Sequence, residues 1–258
     1  MTRKRLFAIA LSLCSFVAIA QEEGPELRHA TVDISDQAAL QRGAKDFMNY
    51  CSGCHSLQYL RYNRMAEDLG LVDQNGVVQE DLLKTNLIFT SAKVMDLITV
   101  AMPAADAKVW FGITPPDLSL IARERGADWL FTYLTSFYQD DARIFGVNNL
   151  LKPNVSMPNV LGSLQGSQVP EYKETIMHLE GGDKTIRTID HLQRMGSGLM
   201  TEQQFDSMVN DLVTFLVYVG EPGQAQREFL GWWVIGYLVV FAFILYMLKR
   251  NFWHGIKK

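Results

Sequence analysis

Cys51-Ser52-Gly53-Cys54-His55 constrains this chain more than any other stretch. On one helical turn, thiols three residues apart reach one edge of a porphyrin, and a histidine directly after the second thiol lies under the ring as a proximal iron ligand. The spacing is that of a covalently attached c-type haem. Two other chemistries use paired cysteines. A zinc site needs a further pair of soft or imidazole ligands, and no cysteine follows Cys54. A thioredoxin-like redox pair normally sits at the end of a strand, whereas Leu40, Ala44, Phe47, Met48 and Cys51 recur at helical spacing behind a cap at Ser35 or Asp36.

The two ends carry membrane signals. Arg3, Lys4 and Arg5 precede an apolar run from Leu6 to Ala20 that closes on Ala18-Ile19-Ala20, which predicts a secretory signal over residues 1–20, cleaved after Ala20. An uncleaved N-terminal anchor is the alternative. Cleavage removes Cys14, leaves Cys51 and Cys54 as the only thiols and so excludes disulfides elsewhere. At the other end Phe229 to Leu248 is a 20-residue stretch without a charge, long enough to span a bilayer core. Lys249, Arg250, Lys257 and Lys258 follow it, so residues 249–258 are expected in the cytoplasm, residues 229–248 in the inner membrane and residues 21–228 in the periplasm. A buried soluble helix would rarely be apolar on every face. Of the 24 basic residues, three lie in the signal and four in the tail, leaving 17 against 28 acidic ones and a net charge of −11 for the exported portion. Such a field favours a basic soluble partner and argues against nucleic acid.

Between these ends the length and apolar content suit one domain. The stretch from Ser56 to Met65, with Tyr59 and Tyr62, reads as further helix, as do Asp81–Phe89 and Ala92–Ala101. Gly112-Ile113-Thr114-Pro115-Pro116-Asp117-Leu118-Ser119 breaks any regular element, and Ile121 to Tyr138 resumes helix. Paired prolines are stiff and donate no backbone hydrogen bond, so this loop can lie flat on an apolar ring; its generic reading is a turn that opens a helix, capped by Asp117 or Ser119. Residues 148–167 lack a period, and residues 168–198 hold a hairpin between the turns at Gly181-Gly182 and Gly196-Ser197-Gly198, with surface roles favoured for His178 and His191. Thr201-x-x-Gln204 is a capping box that opens a last helix with an apolar face of Phe205, Met208, Val209, Leu212 and Leu216, closed by Gly220-Glu221-Pro222-Gly223.

Cys51-x-x-Cys54-His55-Ser56 with Tyr59 and Tyr62, Pro115-Pro116-Asp117-Leu118-Ser119 followed by Arg123-x-Arg125, and Val217-Tyr218-Val219-Gly220-Glu221-Pro222 together resemble bacterial-type cytochrome c1, the haem subunit of the quinol:cytochrome c reductase (bc1) complex. The resemblance covers most of residues 36–250. It implies that Pro116 packs beside the haem and that Arg125 pairs with a propionate, a role its fork geometry suits. Val109-Trp110-Phe111 departs from the asparagines that mitochondrial members often carry there.

For the sixth iron ligand there are nine methionines between signal and anchor, and two of them, Met102 and Met157, precede proline, which favours extended backbone able to present a thioether from a loop. Met102 lies only ten residues before Gly112 and has little chain with which to reach the opposite face. Met157 lies within the irregular stretch, and its Met-Pro context resembles the ligand segment of bacterial cytochrome c1, without the aromatic pattern of mitochondrial members. The expectation is therefore a mostly α chain: a class I cytochrome c-like haem domain with loop insertions and one C-terminal transmembrane helix. It would carry one haem c on Cys51, Cys54, His55 and Met157 and transfer single electrons, since His and Met leave no open coordination site. By resemblance the donor is a Rieske iron-sulfur protein, the acceptor a soluble or tethered cytochrome c, and the anchor packs with cytochrome b in a dimeric complex. Alternatives are another membrane-tethered monohaem cytochrome, a haem peroxidase, or a thiol-disulfide oxidoreductase if haem is absent.

Overall fold

Asp36 starts the haem domain's first helix because its carboxylate accepts from the backbone N–H groups of Ala38 and Ala39, at 3.0 and 3.1 Å. In the computed structural model, which describes residues 25–179 and 182–255, this helix α1 spans Gln37–Tyr50. Its apolar stripe buries Ala39, Leu40, Gly43, Ala44, Phe47 and Met48. The expected secretory signal lies outside the described residues, as do Ile256, Lys257 and Lys258.

The stripe packs on α8, Glu202–Gly220, the last helix of the domain. Thr201 and Gln204 form the expected capping box, each side chain bonded to the other's backbone N–H. Gly43 brings the two helices together: a Cβ there would meet the Asp211 carbonyl oxygen at 2.1 Å. Above and below this contact, Arg42 forks onto Asp211 at 2.6 and 3.1 Å, and the Phe47 and Phe215 rings meet at 5.8 Å. Phe47, Leu57, Met65, Phe205, Phe215 and Leu212 are fully buried around this crossing, each worth about 1.5–3 kcal/mol of transfer free energy.

Between α1 and α8 the chain is irregular and braced by short elements. Leu57–Arg61 is a strand, β1, followed by helix α2, Tyr62–Asp68, so the helix expected from Ser56 to Met65 begins six residues late. The reason is tertiary. Gln58 N–H donates to Asp117 Oδ2 at 2.9 Å, Tyr59 N–H to Ser119 Oγ at 3.2 Å, and the Ser56 carbonyl accepts from Leu118 N–H at 2.9 Å. These partners hold the segment extended against the proline loop. Helix α3, Glu80–Asn86, falls where one was expected but ends three residues before Phe89, and Ala92–Ala101 is not helical: it supplies β2, Leu97–Ile98, which pairs antiparallel with β1. Helix α4 follows, Ala104–Phe111.

The expected helix Ile121 to Tyr138 is broken. Gly126, at φ 88° and ψ 159°, a conformation open only to glycine, separates α5, Ile121–Arg125, from α6, Ala127–Thr135. Residues Phe137–Gln139 then form β3, paired with β4, Val147–Asn149. Residues 150–161 form no strand or helix, and α7, Gly162–Gln165, is one turn. The hairpin is present as β5, Gln168–Leu179, and β6, Gly182–Arg194, with Asp190 bulged opposite the Glu171–Tyr172 step. Glu221-Pro222-Gly223 ends the domain, and α9, Gln224–Phe252, is a 29-residue helix with none of its residues buried and an 18-residue apolar stretch of mean hydropathy 2.1. It is longer at both ends than the expected Phe229–Leu248 span.

Candidate haem site

Cys51 ends α1 and the chain turns back immediately: the Cys51 carbonyl accepts from Cys54 N–H at 3.0 Å and from His55 N–H at 2.9 Å. Both thiols are free. One turn of backbone therefore carries two thiols and an imidazole. His55 Nδ1 lies 2.7 Å from the Pro116 carbonyl. With Nδ1–H donating there, Nε2 keeps its lone pair for a metal, as the partner on one ring nitrogen fixes the role of the other. Burial lowers the imidazole pKa, with the Pro116 carbonyl opposing it more weakly, which favours the neutral ring.

Burial also pushes the Cys51 thiol up to about 12, helped by the nearby Asp46 and Cys54, and raises Cys54 in the same way. Nucleophilic redox cysteines have depressed pKa values, so this pair is poorly suited to thiol-disulfide exchange. Among the described residues no three His, Cys, Asp or Glu side chains converge as a metal cage. The donor set fits a haem c: two thiols for thioethers, one pre-oriented imidazole for iron.

Pro116 is exposed in a loop without regular structure, its ring available for a flat contact. The loop is not a helix cap. Asp117 splits its carboxylate between Ser119 N–H and Gln58 N–H, both at 2.9 Å, while the N-cap of α5 is Leu120, which offers no side-chain cap. The generic reading is thus replaced by a brace that ties the proline loop to the haem-motif strand and holds the Pro116 carbonyl under His55.

Arg125, Trp129, Tyr133 and Phe137 recur every four residues and form a second wall. The Arg125 guanidinium lies 5.4 Å from the Trp129 ring centre, Trp129 stacks on Tyr133 at 4.9 Å, and Tyr133 meets Phe137 edge-on at 5.3 Å. Arg125 also touches Glu124 at 3.0 Å in an exposed pair, worth little and readily exchanged. Arg123, by contrast, is committed to Glu221 at 2.6 Å. Met157 packs against the core beside this wall, its Sδ 3.6 Å from the Tyr133 hydroxyl. The structure therefore brings Pro116 to the Cys51–His55 turn, and links Arg125 to Met157 through Trp129 and Tyr133. Met102 stands outside the core-packed group. His191 has both ring nitrogens facing carboxylates, Asp190 at 3.0 Å and Glu171 at 3.4 Å, and is a surface residue as expected.

Sequence reasoning did not single out Trp129, Tyr133 or Phe145. The first two were signalled by the four-residue aromatic spacing. Phe145 meets Phe111 at 5.8 Å, next to the exposed Trp110, Ile113 and Ile144, and this contact between a helix end and a distant loop has no local signal.

A turn with two thiols and an oriented imidazole at the end of α1, a mostly helical domain closed by α8 and, among the described residues, one helix apolar and long enough to cross a membrane define a membrane-anchored monohaem c-type cytochrome. The profile of the Cytochrome C1 family matches residues 28–256. The cytochrome c1 of Allochromatium vinosum is 47% identical over 257 residues, covering 98% of this chain and 99% of that protein. A Nitrosomonas europaea protein named ammonia monooxygenase gamma subunit is 40% identical, covering 98% of both chains, and the cytochrome c1 of Blastochloris viridis is 29% identical over 86% of this chain and 83% of that one. The chain belongs to the cytochrome c1 family, with its class I cytochrome c-like fold, one covalently bound haem c and the role of the haem subunit of the bc1 complex.

Proposed function

We propose that this subunit takes single electrons from a Rieske iron-sulfur protein and passes them to a soluble or tethered cytochrome c, as part of a dimeric quinol:cytochrome c oxidoreductase in which α9 packs with cytochrome b. The observation that carries the reading is the His55–Pro116 bond within the Cys51–His55 turn, which leaves Nε2 as the ligand nitrogen. Haem c supplies a one-electron couple. Cys51 and Cys54 would hold it through thioethers, and His55 and Met157 would supply its iron ligands. With both ligands supplied by the protein, outer-sphere exchange would be favoured over peroxide chemistry. Pro116 orients the imidazole and offers its ring as a flat contact, and Arg125, supported on Trp129, turns its guanidinium to a propionate.

The haem domain, residues 21–228, faces the periplasm after removal of residues 1–20, residues 229–248 cross the inner membrane, and residues 249–258 lie in the cytoplasm; Lys249 and Arg250 in the last turn of α9 support this orientation. The net charge of −11 suits a basic acceptor. The name of the Nitrosomonas relative belongs to a different assembly, and the family profile with the 47% identical relative favours the bc1 reading. Mild detergent extraction, a haem-stained denaturing gel and subunit identification test it together. Haem stays on the polypeptide and cytochrome b co-purifies if the reading is right. Haem retained by the Cys51→Ala/Cys54→Ala double variant, or purification without a cytochrome b, refutes it.

A further inference from the structure

Of the wall residues Arg125, Trp129, Tyr133 and Phe137, Tyr133 is the one whose polar group bonds Met157. Its ring cannot wander: Trp129 stacks on one face, nearly parallel at 9°, and Phe137 abuts at 70°. Both contacts are to the ring, so neither explains a hydroxyl in this position. The side chain is buried, and its oxygen lies 3.6 Å from Met157 Sδ, within reach for a sulfur acceptor, whose radius exceeds that of oxygen. A buried phenol O–H needs a partner, and the thioether supplies one.

We propose that Tyr133 is a positioning residue for the sixth ligand: its hydroxyl donates to Met157 Sδ, fixes the direction of the thioether and withdraws electron density from it. The inference rests on Met157 being that ligand. A thioether sulfur has two lone pairs, and here one faces the phenol, leaving the other for iron. Ferric iron draws more density from its ligand than ferrous iron does. A sulfur that shares density with a hydrogen-bond donor therefore favours the ferrous state, and Tyr133 raises the reduction potential. A purely structural role would depend on the ring alone and be indifferent to the hydroxyl.

The test uses the full chain in its detergent-solubilised complex, with redox titration and the sulfur-to-iron charge-transfer band as readouts. Tyr133→Phe keeps the stacked ring and removes only the donor. It should retain covalent haem, shift the band and lower the potential. The ferric-to-ferrous ratio at fixed potential should rise severalfold and by no more than about tenfold, since a neutral hydrogen bond bounds the effect; tenfold corresponds to ~59 mV for one electron. Fluorotyrosine at position 133, a stronger donor on the same ring, should move the potential upward, and it carries the test if Tyr133→Phe does not load haem. Potential and band unchanged in both variants overturn the inference. Met157→Leu separates this from a failure of the ligand reading: loss of its band with Tyr133→Phe unchanged sinks only the tuning role, whereas a band that persists in Met157→Leu sinks both.

Discussion

Replacing Gly43 by alanine sets two known effects against each other, and the geometry decides the sign. In a helix interior, alanine is favoured over glycine by about 1 kcal/mol. At this position the added Cβ lies 2.1 Å from the Asp211 carbonyl oxygen, 2.7 Å from its carbonyl carbon and 2.8 Å from Phe215 Cβ. All three atoms are backbone or backbone-attached on α8, so no side-chain rotation relieves them and the helices must separate. Overpacking of this kind costs typically ~1–3 kcal/mol, and with rigid neighbours the upper end applies, giving a net loss of about 2 kcal/mol. For a domain of this size that lowers Tm by roughly 4–8 °C. The Arg42–Asp211 fork and the Phe47–Phe215 contact loosen together because they flank the same crossing. Thermal unfolding of the holoprotein followed by far-UV circular dichroism measures the effect. Gly196→Ala is the control: a Cβ there meets nothing within 4 Å, and surface changes usually stay within ~0.5 kcal/mol. A Gly43→Ala protein as stable as wild type, or more so, would show that the helices are not in this close contact.

Asp46, on α1, has its pKa raised to about 6, chiefly by burial, with Lys45 opposing and Asp211 adding to it. A carboxylate whose folded pKa exceeds its unfolded one stabilises at low pH and loses that contribution as pH rises through the folded value. Asp46→Asn should therefore raise Tm above wild type at pH 8, the gap closing as pH falls from 6 towards 4, as a calorimetric pH series will report; a gap independent of pH contradicts it. Thr201→Ala removes the acceptor for Gln204 N–H and should cost about 1 kcal/mol in urea unfolding, with no cost if the box does not form.

The elements legible in the sequence were those built from near neighbours. The Asp36 cap, the stripe from Leu40 to Cys51, the Thr201 box and the uncharged run of α9 each declare themselves within a few residues. The strand β1 did not, because Ser56 to Tyr59 are held extended by Asp117, Leu118 and Ser119, some sixty residues later. The break between α5 and α6 rests on one glycine within an otherwise helical pattern. The helical approach to the Cys51–His55 turn was legible, and the Met-Pro signal at Met157 singled out a methionine that packs beside the aromatic wall. What supports that methionine, the Tyr133 hydroxyl, is a contact across 24 residues that no local pattern encodes.

Only Glu221, Pro222 and Gly223 separate the end of α8 from the start of α9. Fully extended, three residues reach ~10 Å, and they are not free to extend, because Glu221 is gripped by Arg123 of the domain at 2.6 Å and by Arg227 of the anchor. Such a joint is a bracket rather than an arm. It ties the domain to its anchor through three residues held at both ends, so the domain is carried by α9 rather than swinging on a tether.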